Sequence, residues 1–174
     1  MKTRLLVVSY LCLAPLLAAF AEAPPNVGDK APLFRAAAHP QSVNLANLVG
    51  KKNIVLYFYP KDFTPGCTIE ACDLRDGIEA LKGLDAIVFG VSYDSVESHA
   101  KFAEHHKLPF GLVADTDHKV SELYGAAREK VCARYTFIIN KSGRIAWRNL
   151  TVNAKQAAAE IKVALEQLKQ QEKK

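Results

Sequence analysis

Asn53-Ile54-Val55-Leu56-Tyr57-Phe58-Tyr59-Pro60-Lys61-Asp62-Phe63-Thr64-Pro65-Gly66-Cys67-Thr68-Ile69-Glu70-Ala71-Cys72 changes character midway. Residues 53–59 form a near-continuous run of strand formers, the pattern of a strand buried on both faces. Pro60 ends the run, because it has no N–H to give to a sheet ladder. From Thr68 the period becomes helical: Ala71, Leu74, Ile78 and Leu81 fall on one face, with Asp73, Arg75, Asp76 and Glu79 on others. The segment therefore reads as a buried strand, a short Pro- and Gly-containing turn and an amphipathic helix.

The same alternation continues downstream. Residues 86–91 predict a second buried strand, 96–107 a helix, 110–113 a strand and 118–124 a short helix. Residues 133–140 form another strand, turning at Lys141-Ser142-Gly143 into 144–152. Ala157, Ile161, Ala164, Leu165 and Leu168 mark a closing amphipathic helix. Strands alternating with helices imply crossover units and a largely parallel sheet covered on both faces, with antiparallel strands added by the closing hairpin. The fold class is α/β, a central mixed sheet flanked by helices. Upstream, 22–30 is a loose lead-in, and the weak alternation of 33–48 suggests an N-terminal hairpin.

Residues 1–21 read as a signal peptide. Lys2 and Arg4 supply the basic start, 5–20 an apolar stretch, and Ala19-Phe20-Ala21 a small-x-small cleavage site. The stretch contains Pro15 and is about sixteen residues long, short of the roughly twenty that span a bilayer. The expectation is an exported, periplasmic protein whose residues 22–174 form one domain, without stable membrane association after cleavage. The formal charge of +5 falls to +3 without Lys2 and Arg4, and much of the remainder lies in the tail from Lys169 to Lys174. Cations there suit a helix C-terminus, and no interleaved basic and aromatic surface suggests a nucleic-acid partner. There is no phosphate-cradling glycine loop. His39, His99, His105, His106 and His118 read as scattered surface residues without metal-ligand spacing.

Cleavage removes Cys12 and leaves Cys67, Cys72 and Cys132. An odd number in an oxidising compartment argues against a purely structural disulfide framework. Cys67 stands at the first turn of the helix, where backbone N–H groups lack intrahelical partners and the helix dipole favours an anion. Such a site favours the thiolate, the reactive form of a cysteine. Cys72 lies about 140° round the helix, with Cα atoms about 8.6 Å apart. A disulfide needs less than about 7 Å, so bonding the two requires the first turns to unwind. The chemistry that fits is oxidation of Cys67 to a sulfenic acid, condensation with a second thiol, and recovery by an external dithiol. A thioredoxin-type oxidoreductase would need C-x-x-C rather than C-x₄-C; a binding module without turnover stays open.

Pro60, Thr64 and Cys67 stand in a pattern of Pro, three residues, Thr, two residues, Cys. In this the segment resembles the active site of peroxiredoxins, and the spacing to Cys72 is similar to the PrxQ or bacterioferritin-comigratory subfamily. The likeness extends through Gly90-Val91-Ser92-Tyr93-Asp94-Ser95, Leu112-Val113-Ala114-Asp115 and Arg134-Tyr135-Thr136-Phe137-Ile138-Ile139-Asn140. The resemblance implies a thioredoxin-like fold and a peroxidase acting on hydrogen peroxide and organic hydroperoxides without cofactor or metal, recycled by a thioredoxin-like protein. It makes Cys67 peroxidatic and Cys72 resolving, has Thr64 hydrogen-bond the peroxide and thiolate, has Arg134 stabilise both, and has Pro60 shield the pocket. Arg134 is chemically suited, being a permanently charged multiple donor. No cysteine follows Cys132, so the C-terminal resolving cysteine of dimeric peroxiredoxins is missing and a monomer is expected. The link from Tyr124 to Arg134 is shorter than the subfamily pattern and holds Cys132. Two apart on a strand, Cys132 and Arg134 would share a face, which makes Cys132 either a competing resolver or an inert buried thiol.

Overall fold

The computed structural model describes residues 23–172, so the expected leader at 1–21 lies outside the described residues. The elements in chain order are β1 (Arg35–Ala36), β2 (Ala38–His39), β3 (Val43–Asn44), β4 (Asn53–Phe58), α1 (Pro65–Gly83), β5 (Ala86–Ser92), α2 (Val96–His106), β6 (Gly111–Ala114), α3 (Lys119–Leu123), β7 (Tyr135–Ile139), β8 (Ile145–Asn149) and α4 (Ala157–Gln171).

The apolar run at 53–58 becomes β4, every residue of which is buried. Its side chains alternate between two cores, as a strand covered on both faces must. Val55 and Tyr57, with Tyr59 beyond the strand, join Leu74, Ile78 and Leu81 of α1, Phe102 of α2, and Ile161 and Leu165 of α4. Ile54, Leu56 and Phe58 face the opposite core, with Val120 of α3, Tyr124 and Phe137. The main sheet has the order β2-β6-β5-β4-β7-β8. The crossovers β4-α1-β5 and β5-α2-β6 make their strand pairs parallel, as the alternation predicts.

The sheet is mixed, as expected, and its antiparallel pairs go beyond the closing hairpin β7–β8 to include β2–β6 and β4–β7. After β6 the chain passes through the short helix α3 and enters the sheet again antiparallel to β4. There β7 starts beside the end of β4, with Tyr135 opposite Phe58. The N-terminal hairpin is divided. β1 pairs with β3, while β2 between them joins the edge of the main sheet at β6, where Ala38 is buried. Finally, β7 begins at Tyr135, so Cys132 and Arg134 precede the strand. Cys132 instead forms an isolated bridge with Ala127, and the two-residue period does not apply to the pair.

α1 is held against α4 by close backbone approach at Gly77, where a Cβ would lie 2.7 Å from the Cβ of Ala158. Alanine at 77 gains up to about 1 kcal/mol of helix propensity but forces two helices apart, an overpacking that costs about 1–3 kcal/mol. Gly77→Ala is therefore expected to lower the urea midpoint with an unchanged m-value. Gly83→Ala, whose Cβ meets nothing within 4 Å, should be neutral or slightly stabilising in the same assay.

Candidate active site

The chain leaves β4 through Tyr59 and Pro60, turns at Asp62 and Phe63, and enters α1 at Pro65. The helix begins earlier than the apolar period suggested. Thr64 occupies the N-cap in extended geometry, and Pro65 takes the first helical position, where its missing N–H is no loss. Cys67 is thus the third residue of α1, among backbone donors the helix itself does not use. Its side chain is 1% exposed and packs in the core with Tyr57, Tyr59, Ala71 and Leu74.

The turn before the helix is anchored from below. Asp62, itself buried, accepts from Tyr59 Oη at 2.7 Å and from Ser98 Oγ at 2.7 Å, and lies 2.9 Å from His99 Nδ1. His99 Nε2 is 3.1 Å from the Val113 carbonyl, and the Asp62 N–H donates to Asp94 at 2.9 Å. Burial works to raise the Asp62 carboxyl, but the bonds from His99, Tyr59 and Ser98 outweigh it and leave it below its ordinary value. His99 is therefore a fully buried residue tying α2 to the active-site turn, not a surface histidine. The sequence carried a faint signal of this, since His99 falls beside Phe102 and Ala103 on the inward face of α2.

Arg134 meets Cys67. Its Nη2 donates to the Sγ at 3.3 Å, while Nη1 makes a short ion pair with Glu70 Oε2. Glu70 is fully buried, and its Oε1 has no hydrogen-bond partner among the described residues. Burial pushes the Glu70 carboxyl up to about 7 against the lowering pull of Arg134. The sequence reading missed Glu70; the clue was a carboxylate one helical turn from Cys67, on a face otherwise apolar.

The remaining expected residues divide. Pro60 is half-buried beside Tyr59. Thr64 Oγ1 donates to the Lys61 carbonyl at 2.9 Å, and among the described residues it shares no hydrogen bond with Cys67. Cys72 is half-buried, and both it and Cys67 are free thiols on one unbroken helix. Cys132 lies in the opposite core with Phe58 and Tyr124, so the sheet separates it from Cys67. Burial foremost, with Asp115 adding, pushes its thiol up to about 12. Of the two readings left open, the inert buried thiol is the one the fold supports.

Residues 27–148 match the AhpC/TSA family. The chain is 46% identical over 138 residues to peroxiredoxin Bcp of Bacillus subtilis, covering 73% of this chain and 87% of that one. It is 39% identical over 131 residues to peroxiredoxin Bcp of Escherichia coli, covering 70% and 83%. Among solved structures, the peroxidoxin BcpB of Mycobacterium tuberculosis superposes with a TM-score of 0.77 at 28% identity over 82% of this chain and 97% of that one. The peroxiredoxin Q of Xanthomonas campestris does so with 0.73 at 29% identity, over 77% and 90%.

The raised carboxyl makes a prediction about pH. An unfolded Glu70 would lose its proton near 4.3, whereas the folded one keeps it to about 7. Stability from this group is therefore full below pH 4 and is lost as pH rises toward 7. Glu70→Gln, which keeps an acceptor for Arg134, should remove that fall. Urea unfolding at pH 5 and pH 8 is expected to show wild-type stability dropping by up to about 3 kcal/mol more than the variant's.

Proposed function

The chain belongs to the AhpC/TSA family and is a thiol peroxidase of the peroxiredoxin kind; from that premise we propose how its residues divide the reaction. Cys67 Sγ attacks the outer oxygen of a hydroperoxide as a thiolate. The O–O bond breaks, Cys67 becomes a sulfenic acid, and the leaving alkoxide or hydroxide departs with a proton as alcohol or water. The observation that carries this reading is the Arg134 guanidinium 3.3 Å from a sulfur buried at the head of α1. It offers fixed donors where charge develops, in a site from which water is largely excluded.

Thr64 serves the peroxide by turning its hydroxyl from the Lys61 carbonyl toward the bound oxygen, a rotation about one side-chain bond. Pro60 walls the pocket. Cys72 then attacks the sulfenic sulfur, releasing water and forming an intramolecular disulfide, once the first turns of α1 have unwound. A thioredoxin-like dithiol reduces that disulfide by exchange. The basic start, apolar run and small-x-small site of residues 1–21 support export to the periplasm, and a protein with both cysteines on one helix needs no second subunit to turn over.

Mass spectrometry after one equivalent of hydrogen peroxide should find a Cys67–Cys72 peptide link and Cys132 unmodified; a Cys67–Cys132 link would reassign the resolver. In stopped-flow oxidation, Arg134→Ala is expected to slow sulfenic acid formation by about 10²- to 10³-fold, and Cys67→Ser to abolish peroxide consumption. N-terminal sequencing of the protein from a periplasmic fraction should begin at Glu22.

A further inference from the structure

α1 is held unevenly along its length. Just past Cys72 it is pinned on two sides: Asp73 Oδ2 accepts from the Ala158 N–H of α4 at 2.7 Å, and Arg75 Nη1 donates to the His106 carbonyl of α2 at 2.8 Å. Gly77 adds the close approach to Ala158. Ahead of Cys72, the polar ties of the helix to the rest of the fold are those of Cys67 and Glu70 to Arg134. The segment carrying Cys67 is thus tied through one side chain, Arg134, while the segment beyond Cys72 is tied to two helices. Unwinding confined to residues 65–71 would bring Cys67 to Cys72, with Cys72 left where the anchored helix keeps it.

Where it stays, it has company. Cys72 Sγ lies 3.9 Å from His106 Nδ1, within reach of a sulfur hydrogen bond. The imidazole is half-buried at the last position of α2, flanked by Phe102 with ring centroids 5.0 Å apart and by Phe63 at 6.1 Å. Phe63 reaches over from the active-site turn in a left-handed backbone conformation, with φ of 59°.

Building on the assignment of Cys72 as resolver, we propose that His106 is the general base of the resolution step, taking the Cys72 thiol proton as that sulfur attacks the Cys67 sulfenic acid. The Cys72 S–H bond breaks toward Nδ1 and the S–S bond forms. The Cys67 S–O bond breaks, and hydroxide leaves as water with the proton returned from His106. Cys72 sulfur is oxidised, Cys67 sulfur is reduced, and no further reagent is consumed. The charged and titratable groups facing this pair are Arg75 on α1, which Asp76 also holds at 2.9 Å, and His105 on α2, its ring 4.6 Å from that of His106. Burial first, then the cationic pull of His105 and Arg75, hold His106 below the ordinary imidazole value. It is thus neutral and able to accept a proton at pH 7.

The test separates the two chemical steps. Stopped-flow fluorescence after a single equivalent of hydrogen peroxide follows sulfenic acid formation and then disulfide formation, with mass spectrometry confirming the products. In the wild type the second phase should be flat from neutrality upward and fall at acid pH as the imidazole protonates. In His106→Gln it should be slower by at least about tenfold at pH 7 and rise continuously with pH. In His106→Ala, added free imidazole should restore the second phase. A second phase with wild-type rate and pH profile in both variants overturns the proposal, as does slowing that is equal at every pH and indifferent to imidazole. Failure of the wild type to form a Cys67–Cys72 disulfide would instead refute the resolver assignment on which it rests.

Discussion

A sulfur 1% exposed to solvent cannot hold a negative charge unless the protein supplies what water no longer can. The surroundings of Cys67 are arranged around that constraint. Cys67 stands in the first turn of α1, where backbone N–H groups lack intrahelical partners, and the Arg134 guanidinium reaches its sulfur at 3.3 Å from across the fold. That guanidinium is itself half-buried and needs a counter-charge, which Glu70 gives from one turn along the same helix. The three residues form one electrostatic unit, in which burial brings the Glu70 carboxyl up to about 7 against the lowering pull of Arg134.

The unit is built on a scaffold that does not share its tension. β4 is covered on both faces, and the turn that follows is fastened by the Asp62–His99–Tyr59 network. Burying such a cluster is tolerable because its polar atoms are matched by near neighbours. Downstream, α4 and α2 grip α1 from Asp73 onward. Between the fastened turn and the gripped helix lie residues 65–71, tied to the rest of the fold through the contacts of Cys67 and Glu70 with Arg134. The disulfide proposed between Cys67 and Cys72 would need a rearrangement confined to that segment.

Much of the fold was legible because the signals were periodic. The two-faced burial of β4, the stripe of α1, the strand at 86–91 and the closing helix all follow from repeats of two or 3.6 residues. Errors arose where period gave no information. Cys132 and Arg134 looked like strand neighbours, yet both lie in the irregular approach to β7. His99 looked like any helix-borne histidine until its partner in a loop, 37 positions away, was known.

The amino-acid order alone determined that a buried strand gives way to a helix headed by Cys67, and that Cys72 stands beyond disulfide reach on that helix. These are distances and directions within single elements, and backbone geometry sets them. The resemblance named Arg134; only the tertiary structure decided that its guanidinium reaches the sulfur, that Glu70 shares it, that Asp62 and His99 lock the turn, that Cys132 lies behind the sheet, and that His106 stands beside Cys72. Each joins segments far apart in the chain, with Arg134 67 positions from Cys67. Such contacts depend on how elements pack, and no local spacing encodes them.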